Sequence, residues 1–187
     1  MISSSSMPDA TQPQDVVSFW LDAGPQQWFN KSAEFDALFR QRFESAHFAA
    51  AARQLDGWLE DAAGALALMI LLDQFPRNAY RGTAHMFATD PLAQYFADRA
   101  IAAGHDLAVD ARLRQFFYLP FEHAENLPAQ NRAVALMEPL DADSLRWAVL
   151  HRDIIKRFGR FPHRNAALGR QTTQAEQEFL ESGGFAG

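Results

Sequence analysis

Two short runs place arginine, asparagine and histidine beside a proline: Phe75-Pro76-Arg77-Asn78-Ala79 and, one residue longer, Phe161-Pro162-His163-Arg164-Asn165-Ala166. A guanidinium is a permanently charged planar fork that grips a carboxylate or phosphate through two parallel hydrogen bonds. If the two corners meet, Arg77, Asn78, His163, Arg164 and Asn165, with nearby Arg81 and Arg160, line one anion-binding cleft. The local alternative is that each arginine caps the free carbonyls of the helix just before it. Asp73 ends an otherwise apolar run, where the helix dipole opposes an anion by about 0.3–1 kcal/mol. It therefore needs a cation, Arg77 or Arg81, and joins the ligand-binding candidates. Acid–base chemistry has three candidates: His151, and Glu122 and His123 in a segment bounded by Pro120 and Pro128. Each has a bland counterpart, a hydrogen-bonded core histidine or a solvated turn.

The elements that must hold these groups are helices. Val16, Val17, Trp20 and Leu21 form a short stripe after Pro13, ending near Gly24-Pro25. Ser32 can cap a helix bearing Phe35, Leu38, Phe39 and Phe43, and a further helical stretch runs from His47 to Leu55. Ala65 to Leu72 is apolar on every face and so belongs at the centre. Pro76 is expected to stop that helix and force Phe75 into an extended conformation. Asp90-Pro91 reads as a cap and first turn, Asp110 to Leu119 as a helix halted by Pro120, and Pro128 to Met137 as another. From Asp143 to Phe158, the residues Trp147, His151, Ile154, Ile155 and Phe158 share one face at about 100° per residue, which points His151 inward. Thr173 with Glu176 forms a capping box for a last helix. No segment alternates with period two. The expected fold is all-α, eight or nine helices in antiparallel hairpins, with a polar, disordered tail over 1–12 and one domain over 13–187.

Composition narrows the chemistry. The 187 residues carry no cysteine, which excludes thiol catalysis, disulfides and cysteine-ligated metals. Two histidines never stand at i and i+4, so no metal is expected, and no Gly-x-Gly-x-x-Gly, P-loop or Gly-x-Ser-x-Gly motif implies a cofactor or a hydrolase elbow. No apolar run approaches the roughly 20 residues that span a bilayer, and the first residues lack signal-peptide character; a soluble, cytoplasmic protein is expected. The net charge of −6 is uneven: between Arg146 and Arg170 lie seven basic residues and one acid, Asp153. Nucleic-acid binding through that segment is disfavoured by the overall acidity.

The stretches Leu72 to Asn78, Arg81-Gly82-Thr83, Glu122-His123-Ala124-Glu125, His151 to Asn165 and Leu168-Gly169-Arg170 resemble domain-of-unknown-function family 924 (DUF924), from about Asp15 to Phe179. The resemblance implies a tetratricopeptide-like, right-handed helical array and no particular activity. Two functions stay open. One is a binding protein holding an acidic peptide or small anionic ligand in an Arg/His/Asn-lined cleft. The other is an enzyme acting on a carboxylate- or phosphate-bearing small molecule, with a histidine as acid–base group.

Overall fold

A computed structural model describes residues 11–186; the expected tail over 1–12 falls outside it except for Thr11 and Gln12. Among the described residues every regular element is helical and none is a strand. Helix α1 (Pro13–Ala23) buries Val16, Phe19 and Trp20, and the single turn α2 (Pro25–Trp28) folds back so that Trp28 Nε1 donates to the Trp20 carbonyl at 2.6 Å. Ser32 caps α3 (Ala33–Ala51), accepting from the Phe35 amide at 3.3 Å. The helix runs on through His47 without a break, so the separate stretch expected over His47 to Leu55 does not exist. Its buried stripe of Phe39, Phe43, Ala46, His47 and Ala50 repeats at helical spacing, and a continuous stripe favours a continuous helix. Phe39 packs on Phe19 at 5.2 Å and on Phe75 at 5.1 Å between ring centroids.

The central helix α4 (Ala62–Met69) is capped by Asp61, whose Oδ1 accepts from the Gly64 amide at 2.8 Å. Gly64 is obligatory: a Cβ there would stand 2.1 Å from the Trp58 carbonyl oxygen. The expectation for Pro76 is overturned. The chain passes through a π-helical turn, Ile70–Gln74, and continues directly into α5 (Phe75–Ala79) with Phe75 in the right-handed helical region. The physical reason is that long-range partners replace what the proline removes. The Phe75 amide reaches back to the Ile70 carbonyl, the wide spacing of a π turn. The Leu71 carbonyl then accepts from His47 Nδ1 at 2.8 Å and the Leu72 carbonyl from Thr89 Oγ1 at 2.5 Å. With 62–79 taken as one rod, the described residues hold nine α-helical runs.

Asp90 does not cap α6 (Asp90–Ala102); Thr89 is the N-cap residue, Asp90 lies in the first turn, and its carboxylate faces elsewhere. Asp110 to Leu113 forms only a tight 3-10 turn, and α7 spans Gln115–Glu122 with Pro120 inside it. A helix-interior proline costs about 3 kcal/mol. Here Phe116, Phe117, Tyr118, Leu119 and Phe121 are all buried, and that burial outweighs the penalty. Glu122 is therefore the last residue of a helix, with His123 as its C-cap, where a proline-bounded turn was expected. Asn126 caps α8 (Leu127–Met137) and Asp141 caps α9 (Ala142–Phe158), which ends at Gly159. Helix α10 (Gln174–Glu181) begins with the Thr173–Glu176 capping box. Helix α7 packs on α8, α8 on α9, and α4 beneath α1, α6 and α7. A smaller apolar cluster of Ile154, Ile155 and Phe161, with Phe158, Phe179 and Phe185 against it, joins α9 to α10.

Candidate acid–base site

The π turn sets the site. It leaves Asp73 fully buried, its Oδ1 2.7 Å from His123 Nδ1 and 3.2 Å from Arg77 Nη1, and its Oδ2 accepting from Gln74 Nε2 at 2.6 Å. Burial works against the ionised carboxyl, but the Arg77 guanidinium and His123 overcome it and hold the Asp73 pKa below the usual carboxylate range. Arg77 is held on its other side by Asp90, Nη1 to Oδ1 at 2.8 Å and Nη2 to Oδ2 at 3.0 Å. Arg164, 74 residues further on, donates to the same Asp90 Oδ2 at 3.2 Å and to the His123 carbonyl at 2.9 Å. The two corners thus meet, back to back, on one carboxylate. Arg77 also donates to its own helix through the Asp73 carbonyl at 2.8 Å, so the capping role and the convergent role coexist.

His123 donates its Nδ1 proton to Asp73, which places the lone pair on Nε2. Burial, with the Arg77 charge, lowers its pKa below the ordinary histidine value despite Asp73, so the ring is neutral at pH 7 and able to accept a proton. Glu122, 3% exposed, is displaced the other way: burial and then the Asp73 charge push its pKa up to about 8. It is a protonated acid at neutral pH. His151 is inward, as its helical face requires, and its Nδ1 donates to the Trp147 carbonyl at 2.9 Å while lying 3.1 Å from Glu122 Oε1. Burial takes its pKa down to about 3, so this contact joins two neutral groups and is no ion pair. His163 is lowered to about 4 by burial and then by Arg164. Arg164 itself, lowered to about 10 by burial and then by Arg77, remains a cation.

These side chains border one cavity of about 570 Å³, partly enclosed. Arg77, Asn78, Arg81, Glu122, His123, His151, His163 and Arg164 line it, and Asp73 stands behind His123. Asn78 and Arg81 also brace the wall: both hold Asp36 of α3, at 2.8 Å and 2.5 Å. Arg160 and Asn165 do not line the cavity, contrary to expectation. Arg160 forks onto Glu176 of α10 at 2.6 and 2.8 Å, and Asn165 donates to the same carboxylate at 3.2 Å. Sequence reasoning missed Asp90, whose Asp-Pro signature is that of a cap. It also missed the apolar wall, formed by Trp28, Leu119, Met137, Trp147 and Phe185. Phe185 sits 4.6 Å from the His151 ring, placed by Gly184, where a Cβ would stand 2.5 Å from the Phe179 carbonyl oxygen. On the outward face of α9, Arg146 pairs with Asp143 and Arg152 with Asp153. Among the described residues no three His, Asp or Glu side chains group to hold a metal, and no helix is long and apolar enough to cross a membrane.

Fold and site together define an all-helical protein with a buried carboxylate–histidine cluster at the floor of an aromatic-walled cavity. The chain belongs to the DUF924 family, described as "Bacterial protein of unknown function", which it matches over residues 16–184. It is similar to a solved structure, "Structure of Protein of Unknown Function ATU0120 from Agrobacterium tumefaciens". That chain shares 61% identity and a TM-score of 0.89, over 91% of this chain and 97% of the other. No curated protein matches.

Proposed function

We propose that the protein is an enzyme that transfers protons on a small molecule bound in this cavity, with His123 as base and Glu122 as acid. The observation that carries the reading is the pairing of opposite protonation states on adjacent residues. His123 is neutral and oriented by the buried Asp73 at 2.7 Å, while Glu122 keeps its proton at pH 7. Titratable groups whose pKa values are pushed apart within one cavity are how a fold supplies a base and an acid at the same pH. Asp73 is a positioning residue: it fixes the tautomer that presents Nε2. His151, neutral and held by Trp147, completes the polar floor. Ser144 lies on the wall, but its hydroxyl donates to Asp141 at 2.7 Å, away from the histidines, so the chemistry favoured is direct or water-mediated proton transfer.

The other reading, a binding protein that clamps an anion or acidic peptide, draws less support. Its principal arginines are already engaged, Arg77 and Arg164 on Asp90 and Arg160 on Glu176. The experiment is incubation of the wild type and His123→Gln with a bacterial small-molecule extract in D2O, followed by mass spectrometry. A compound consumed or deuterated by the wild type alone is the expected result. A compound that co-purifies with both proteins and is altered by neither would return the chain to the binding class.

A further inference from the structure

We infer that the part of the ligand received at the floor of this cavity is an uncharged polar group, of the amide, ester or ketone class, carried on a flat apolar body. The inference rests on the cavity being the substrate site, as proposed above, and it specifies the substrate class.

The charges at the floor already cancel. Asp73, Arg77, Asp90 and Arg164 alternate in sign along one buried chain of contacts, at 3.2, 2.8 and 3.2 Å. Two positive and two negative charges leave no surplus for an incoming anion. The arginine forks are also occupied: Arg77 spans both oxygens of Asp90, and the two terminal nitrogens of Arg164 go to Asp90 and the His123 carbonyl. At the rim Arg81 is held by Asp36 and Asp143 by Arg146, and Lys31 stands at the exposed edge where water screens it. Taking a carboxylate out of water without a counter-charge costs several kcal/mol.

The protein carries its own indicator of that cost. Glu122 is a carboxyl group at this floor, and it stays protonated at neutral pH. A visiting carboxylate beside it meets the same desolvation and the same Asp73 charge. A neutral carbonyl does not, and the hydrogen bonds it leaves behind in water can be replaced. Glu122 Oε2 and Arg164 Nε, on two lining residues 3% and 5% exposed, have no hydrogen-bond partner among the described residues. Both are donors when Glu122 is protonated. Above them Trp147, Phe185, Leu119 and Met137 offer flat apolar wall, and about 570 Å³ admits a ligand of aromatic-ring size or larger.

The test is equilibrium binding, by ligand-observed NMR at pH 7, of phenylacetamide and phenylacetate, which share a ring and differ in head-group charge. The wild type is expected to favour the amide by about tenfold or more. Asp73→Asn, which removes one negative charge from the floor, is expected to move the preference toward the carboxylate by about tenfold. A wild-type preference for phenylacetate overturns the inference. So does an unmoved preference in a folded Asp73→Asn protein, or the failure of both probes to bind at millimolar concentration. If Asp73→Asn does not fold, the wild-type comparison alone decides. Binding is read without turnover, so the substrate class can stand or fall independently of the proton-transfer proposal.

Discussion

Replacing Glu122 by glutamine should stabilise the protein while abolishing the proposed acid, and the gain should depend on pH. In the unfolded chain the carboxyl titrates near 4.5, and in the folded protein near 8. Between those values the folded state holds a proton that the unfolded state has released. Stability is therefore greatest below pH 4.5, falls by about 1.4 kcal/mol per unit as pH rises through about 8, and is level above. At pH 7 the accumulated cost is roughly 3 kcal/mol, a large share of the 5–15 kcal/mol that holds a typical domain together. No discount for solvent screening applies, because the side chain is 3% exposed. Glutamine has the shape of the protonated acid and does not ionise. Urea titrations of both proteins at half-unit intervals from pH 5 to 8 give the difference in unfolding free energy, in which the contributions of the buried histidines cancel. It should start at about 1 kcal/mol or less and grow with the stated slope in favour of Glu122→Gln. A difference that is constant with pH would refute the protonated state of Glu122, and with it the acid half of the mechanism.

Three further outcomes follow from the same contacts. Asp90→Asn leaves the Arg77 and Arg164 guanidiniums facing each other without their shared carboxylate, and chemical denaturation should show a loss of about 3–5 kcal/mol. Thr89→Val removes the donor to the Leu72 carbonyl; the melting curve should report a loss of about 1–3 kcal/mol, which Thr89→Ser restores. The His123 ring, followed by NMR, should titrate below the ordinary histidine value, and lower still in Asp73→Asn, because Asp73 is what supports its protonated form.

What could be read in advance divides along local and long-range lines. The caps at Ser32 and Thr173 are local, and each accepts the bond its sequence announces. The inward direction of His151 follows from the stripe on its own helix, again a local property. Both proline expectations failed because a proline's effect depends on what else can satisfy or bury the chain around it. At Pro76 the substitutes come from His47 and Thr89, on separate elements; at Pro120 the compensation is aromatic burial over the whole of α7. Asp90 was illegible for a different reason. An Asp-Pro pair at a helix start has one meaning locally, and only the fold brings Arg77 and Arg164 to it. Arg160 and Asn165 failed through the likeness of the two corners, since nothing in the motif itself says which arginine turns toward the cavity.

That likeness nevertheless has a physical content, which explains why the cavity sits where it does. In each corner the arginine after the proline reaches Asp90, and the asparagine reaches a carboxylate on another helix that a second arginine also grips. Asn78 and Arg81 share Asp36 of α3; Asn165 and Arg160 share Glu176 of α10. The first set fastens the π turn, and so Asp73, to the N-terminal helices. The second fastens α10, and so Phe185, over His151. Because both arginines end on one carboxylate, the distance between these two fastened halves is set at Asp90, and His123 is held between them by Asp73 on one side and Arg164 on the other. A base and an acid on adjacent residues at a helix end would otherwise be free to turn apart as the last turn frays. Here the charge network fixes the helix end from both sides, His123 being held at Nδ1 by Asp73 and at its carbonyl by Arg164, so that it and the neighbouring Glu122 keep their places on the cavity wall.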